Sequence, residues 1–186
     1  MPEANRWDNQ QPASPEHLVG LLDKGFRAPD LLGTCEGWRA WTVDREPPPF
    51  ETAPKLFSAT YHYYWTPRVK ARAECALGHD DHVPGEMCVC GFYAAKTLDH
   101  LRSMGYSTYN EEGDTVSVVG QLALWGKVIE GTQGWRGEFA YPVKLYVPFE
   151  AYRLAKPLKK AYGVPVELLN LLDPEAQPGQ GRTVKG

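Results

Sequence analysis

The sequence predicts an α+β domain: a curled antiparallel sheet or small β-barrel, flanking helices, and a zinc-stapled loop-helix. Three observations lead there. Residues 115–147 carry two runs of alternating apolar residues joined by a Gly-containing turn, the pattern of an antiparallel hairpin. The 18 Gly and 16 Pro among 186 residues favour many turns and short elements over long helices. Three of the four cysteines fall between positions 75 and 90 together with two histidines, a donor set suited to a metal ion.

The elements follow in order. Residues 1–13 and 174–186 are polar and contain Pro and Gln, so both read as flexible tails around a single domain over 14–173. Ser14-Pro15-Glu16 is an N-cap with Pro at the first helical position, and Gly25 is a stop, which predicts a short helix over 15–24. Trp38 to Val43 is aromatic and β-prone and runs into Pro47-Pro48-Pro49, which predicts an edge strand and then an irregular loop. Phe57 to Trp65 is β-prone and is closed by Pro67.

In the hairpin, Val116, Val118, Leu122, Leu124 and Val128 share one parity. Beyond the turn at 131–134, Trp135, Gly137, Phe139, Tyr141, Val143, Leu145 and Val147 lie on one side and Arg136, Glu138, Pro142 and Lys144 on the other. Gly120 and Gly126 suggest bulges or a sharp bend that curls the hairpin. From Pro148 onward Phe149, Tyr152, Leu154, Leu158 and Tyr162 predict a helix, interrupted by Pro157 and ended by Gly163. Residues 165–172 read as a further helical turn or two.

The densest chemistry lies in Cys75-Ala-Leu-Gly-His79-Asp-Asp-His82-Val-Pro-Gly-Glu-Met-Cys88-Val-Cys90. Thiolate sulfur and imidazole nitrogen are what a tetrahedral Zn²⁺ takes, and Gly78, Pro84 and Gly85 let the loop bring Cys75 to Cys88 and Cys90. Cys75, His82, Cys88 and Cys90 are the predicted ligands, with His79 as substitute for His82. Cys35 reads as a core or loop thiol that could instead complete a four-cysteine set. The run from Phe92 to Ser103 has helical character, which would place Cys88 and Cys90 before a helix N-terminus that favours thiolate. Four protein ligands close the coordination sphere, so the metal is expected to be structural.

These residues carry a resemblance. Cys75…His82-x-Pro84-x-x-x-Cys88-x-Cys90-Gly91-x-Tyr93-Ala94, Gly37-Trp38-Arg39-Ala40-Trp41 before it, and Leu124-Trp125-Gly126-Lys127-Val128, Gly134-Trp135-Arg136, Ala140-Tyr141-Pro142 and Tyr162-Gly163-Val164-Pro165-Val166 after it resemble a family of small uncharacterised proteins of actinobacteria and their phages. The resemblance spans about 35–166. It supports the Cys/His cluster and a single domain and carries over no catalytic residue; a phage-encoded module acting on a host protein is the expectation set beside it.

Composition narrows the function classes. No apolar run approaches the ~20 residues a bilayer span needs. The first residues lack a secretory signal, so a cytoplasmic protein is expected. A net charge of −3 gives no global attraction to nucleic acid. No nucleophile elbow or phosphate loop occurs. The first expectation is therefore a non-enzymatic binding or regulatory module with structural zinc and a protein partner. A second is an enzyme or small-ligand binder with an anion site at a barrel mouth, using Arg39, Arg136 and Glu138. A third, weaker one is a single-stranded nucleic-acid binder through 61–72, with Tyr63, Trp65, Arg68, Lys70 and Arg72 as aromatic and basic ridge.

Overall fold

The computed structural model describes residues 34–46, 53–59, 63–78, 83–106, 114–170 and 182–183. The predicted helix over 15–24, the N-terminal tail, His79 and His82 lie outside the described residues. Of the segment read as a C-terminal tail only Arg182 and Thr183 are described, and they form a strand.

A mixed sheet dominates, with few helices. Its strands are β1 (Cys35–Asp44), β2 (Leu56–Ser58), β3 (Tyr64–Trp65), β4 (Ala71–Arg72), β5 (Phe92–Ala95), β6 (Thr115–Glu130), β7 (Gly134–Pro148), β8 (Val166–Leu169) and β9 (Arg182–Thr183). Helix α1 is Leu98–Ser103 and helix α2 is Ala155–Tyr162, the latter preceded by a 3₁₀ turn over Phe149–Leu154. The expected hairpin is present as β6 and β7, paired antiparallel. Strand β1 pairs with β6 and β5, and β5 and β6 each pair with β7, so four strands form a ring of pairings.

Bulges shape the hairpin. Two residues of β6, Gly126 and Lys127, oppose the single Glu138, and Gly126 takes φ +75°, open to glycine at little cost. The second irregularity places Val143 as the extra residue on β7, between the pairs Gln121↔Lys144 and Leu122↔Pro142. That bulge corrects the single apolar face expected for 135–147. Parity changes at Val143, so Ala140 before it and Leu145 and Val147 after it face the same core, while Trp135, Phe139 and Tyr141 are half-buried.

Five further expectations are corrected. Strand β1 is internal, not an edge, because β6 flanks one side over its whole length and β2 and β5 share the other. Residues 57–65 are not one strand but hold parts of β2 and β3, which pair antiparallel. Phe92–Ala95 is a strand held by β7, and the helix starts only after Thr97, whose Oγ1 accepts a hydrogen bond from the His100 N–H at 3.1 Å. The cysteines therefore do not precede a helix N-terminus. Val166–Leu169 is a strand running parallel to β7, so the sheet is mixed and not wholly antiparallel. Pro157 sits in the first turn of α2, where no intrahelical N–H is needed, and so does not kink it.

The two sheet faces explain the helices. On one, Trp41, Val43, Leu122, Leu124, Leu145 and Val147 are sealed by Leu158 and Tyr162 of α2. On the other, Ala40, Val119 and Tyr146 are covered by Leu98 and Leu101 of α1. Tyr162 fastens α2 to the β2–β3 pair, its hydroxyl accepting from the Leu56 N–H at 2.8 Å and donating to the Trp65 carbonyl at 2.5 Å. Gly163, at φ +71°, ends α2 as expected.

Candidate metal centre

Two tight turns bring three sulfurs together. After β4 the Ala73 N–H donates to the Glu138 carbonyl, which keeps the outgoing chain beside β7. The chain then turns over 75–78, where the Gly78 N–H donates to the Cys75 carbonyl at 3.0 Å and the Leu77 N–H donates to Cys75 Sγ at 3.3 Å. Gly78 takes φ +80°, which a side chain would resist. The second turn covers 85–88: the Cys88 N–H donates to the Gly85 carbonyl, and the Gly85 N–H donates to Cys90 Sγ at 3.2 Å. The sulfurs of Cys75, Cys88 and Cys90 all lie within 4.8 Å of one another, with Cys75 and Cys88 3.8 Å apart. That is far beyond the ~2.0 Å of a disulfide, and all four cysteines are free.

The cluster is clamped from beneath by Arg136. It is 2% exposed, and its Nη1 donates to the carbonyls of Cys88 and Cys90 while Nη2 donates to that of Gly85. A planar guanidinium with donors in fixed directions can hold three carbonyls of one loop at once. Tyr93 adds a second tie, donating its hydroxyl to the Val89 carbonyl at 2.6 Å. Gly91, between Cys90 and β5, takes φ +118°, and a Cβ there would come within 3.0 Å of Pro84 Cβ.

The chemistry of this donor set is soft and cation-seeking. Burial pushes the Cys90 thiol up, with the neighbouring thiols of Cys88 and Cys75 adding to it and the Gly85 N–H partly opposing it. Three sulfurs so close resist ionising together, and a bound cation reverses the balance because it is itself the largest local charge. The group can hold a metal ion. Cys35 stands outside it, and burial raises its thiol, with Glu130 contributing.

The other expected sites are dispersed. Arg39 donates to the Tyr93 carbonyl at 2.7 Å and to Ser58 Oγ at 3.0 Å, and its guanidinium lies over Trp65; burial lowers its pKa to about 10. Glu138 meets Arg72 at 3.9 Å and accepts from the Lys127 N–H. Arg39, Arg136 and Glu138 therefore bond to three different sets of partners. Of the aromatic and basic ridge, Trp65 is 1% exposed in the core, and Tyr63 packs edge-on against it. Arg68 has φ +61° in a turn and donates to the Lys160 carbonyl at 3.0 Å in the last turn of α2. Lys70 lies over the Phe139 ring, and Arg72 is in β4.

Sequence reasoning places Arg136 at an anion site, whereas it bonds to the carbonyls of the cysteine loop. Arg136 falls on the parity of Glu138 and Lys144, opposite the apolar side expected for 135–147. Gly134, two residues before it, is the usable signal: a Cβ there would lie 2.4 Å from the Ala94 carbonyl oxygen, so this stretch of β7 is pressed against β5. No helix among the described residues is long and apolar enough to cross a membrane. Comparison of the chain with protein-family models, with curated proteins and with solved structures finds no significant match to any of them.

Proposed function

We propose that the protein is a non-enzymatic binding and regulatory module whose 75–90 loop is stapled by a structural zinc ion. The ligands are Cys75, Cys88 and Cys90 with His82 as the fourth, His79 being its substitute. One observation carries the reading: the three sulfurs lie within 4.8 Å of one another. Two sulfurs bound to one tetrahedral zinc at ~2.3 Å lie about 3.8 Å apart, and Cys75 and Cys88 are separated by 3.8 Å. Backbone N–H donors to Cys75 and Cys90 stabilise sulfur as thiolate.

The buried Arg136 fits the same reading. Three thiolates and one imidazole around Zn²⁺ carry a net negative charge, and among the described residues the groups bonded to Arg136 are carbonyls, not a carboxylate. A closed sphere of four protein ligands contributes to folding, with no open position for a substrate. The role left to the domain is then recognition by the surface that the staple holds rigid.

Metal analysis of the full chain, purified without added zinc, tests this. About one zinc per chain is expected, lost in Cys88→Ser, together with a fall in melting temperature on chelation. Absence of zinc with unchanged melting in chelator would sink the proposal.

A further inference from the structure

The tips of the two cysteine turns are apolar and open. Leu77 is 80% exposed, Met87 is fully exposed at 100% and Val89 reaches 36%. Exposed Glu74 and Glu86 flank them, and residues 73–91 contain four acidic residues and no Lys or Arg. Apolar side chains of this size at the ends of pinned turns are costly to leave in water and point to a covered surface.

A second patch has the opposite character. On the 3₁₀ turn and α2, Phe149 is 40% and Tyr152 56% exposed, and they adjoin exposed Arg153, Lys156 and Lys160. Lys156 and Lys160 are one helical turn apart and so share a face. Arg68 reaches the same end of the helix through its bond to the Lys160 carbonyl. Residues 149–163 carry four cations against the single acid Glu150.

We propose that the protein assembles head to tail, the acidic apolar crown at Leu77, Met87 and Val89 of one copy docking on the basic aromatic face at Phe149, Tyr152, Lys156 and Lys160 of the next. The chain itself carries both halves of the match, apolar against apolar and acid against base, and this singles out a second copy as the occupant. Two different patches make the contact heterologous, so it closes into a ring or extends as a filament. A metal would join the two turns that carry the crown, so this inference rests on the metal reading above.

Sedimentation velocity of the zinc-loaded full chain, over micromolar to near-millimolar concentration and at low and high salt, is the test. Self-association that weakens at least about tenfold in high salt is expected. The variants E74K/E86K and K156E/K160E should each be monomeric while keeping one zinc. Mixed together they should assemble again, because the reversed crown of one fits the reversed face of the other and the two unreversed patches match as well. A zinc-loaded wild type that stays monomeric overturns the assembly and leaves the metal reading standing. Self-association that survives either charge reversal overturns it too. A chain that takes up no zinc overturns the metal reading and the rigid crown with it.

Discussion

At the scale of single residues, Arg136 has the most leverage on the cysteine loop. It donates to three loop carbonyls from a site 2% exposed, so Arg136→Ala removes a donor from the carbonyls of Cys88, Cys90 and Gly85, the last of which keeps the Cys88 N–H. Hydrogen bonds to a charged group are worth about 1.5–3 kcal/mol each, and partial relaxation makes a net loss of about 3 kcal/mol a reasonable expectation. Thermal unfolding checks it, with zinc affinity falling in parallel. Arg136→Lys should recover little, since one ammonium cannot reach three carbonyls held by a planar fork. A variant that melts like wild type and binds zinc equally would contradict the clamp. Tyr162 supplies a pH signature. Burial, with Tyr141 adding, holds its phenol well above the ordinary value, whereas the unfolded chain titrates near about 10. The folded state therefore keeps a proton that the unfolded state loses, so stability is full below about pH 9 and declines as pH rises past about 10. Tyr162→Phe should flatten that decline. It should also cost about 1–3 kcal/mol at neutral pH, because the Leu56 N–H is left without its acceptor.

At the scale of elements, the β6–β7 hairpin organises the sheet and was the part most legible in the sequence. Both strands are long, and Val116, Val118, Leu122 and Leu124 alternate over enough residues for a period of two to stand out. The bulges were legible only in part. Gly126 marks one, but the other falls at Val143, a residue with no turn chemistry, and it inverts the parity of the apolar face expected for 135–147. The short elements defeated sequence reading for a common reason. Phe92–Ala95 and Val166–Leu169 are four residues each, too few to display a period, and pairing with β7 decides their state over their helical composition. The three-cysteine grouping was legible because spacing and loop chemistry alone carry it. Its supports were not, since backbone N–H donors and a guanidinium from a strand distant in sequence leave no local trace. Gly120 offers the direct test of the hairpin. A Cβ there would lie 2.2 Å from the Lys144 carbonyl oxygen and 3.1 Å from Trp41, so Gly120→Ala must force β6 away from β7. A loss of about 2 kcal/mol or more is expected in denaturant unfolding. A neutral outcome would mean that the strands pair less closely there than described.

At the scale of the whole molecule, the sheet, its two covering helices and the cysteine turns depend on β7 in common. It pairs in succession with β5, β4, β8 and all along with β6, and it carries Arg136. Loss of metal should therefore loosen the 75–90 loop before the sheet. In chelator, hydrogen exchange should speed up for the amides of Leu77, Gly85 and Cys88 while those of Val118 and Leu145 stay protected, and equal protection with and without chelator would contradict a metal-held loop. The central claim, that Cys75, Cys88 and Cys90 serve as ligands of one tetrahedral metal, is tested most directly by titrating the reduced, metal-free full chain with Co²⁺ and recording its absorption spectrum. Thiolate-to-cobalt charge transfer together with intense visible bands of tetrahedral cobalt, saturating at one equivalent and displaced by Zn²⁺, is the predicted result. A pale octahedral spectrum without charge transfer would contradict it.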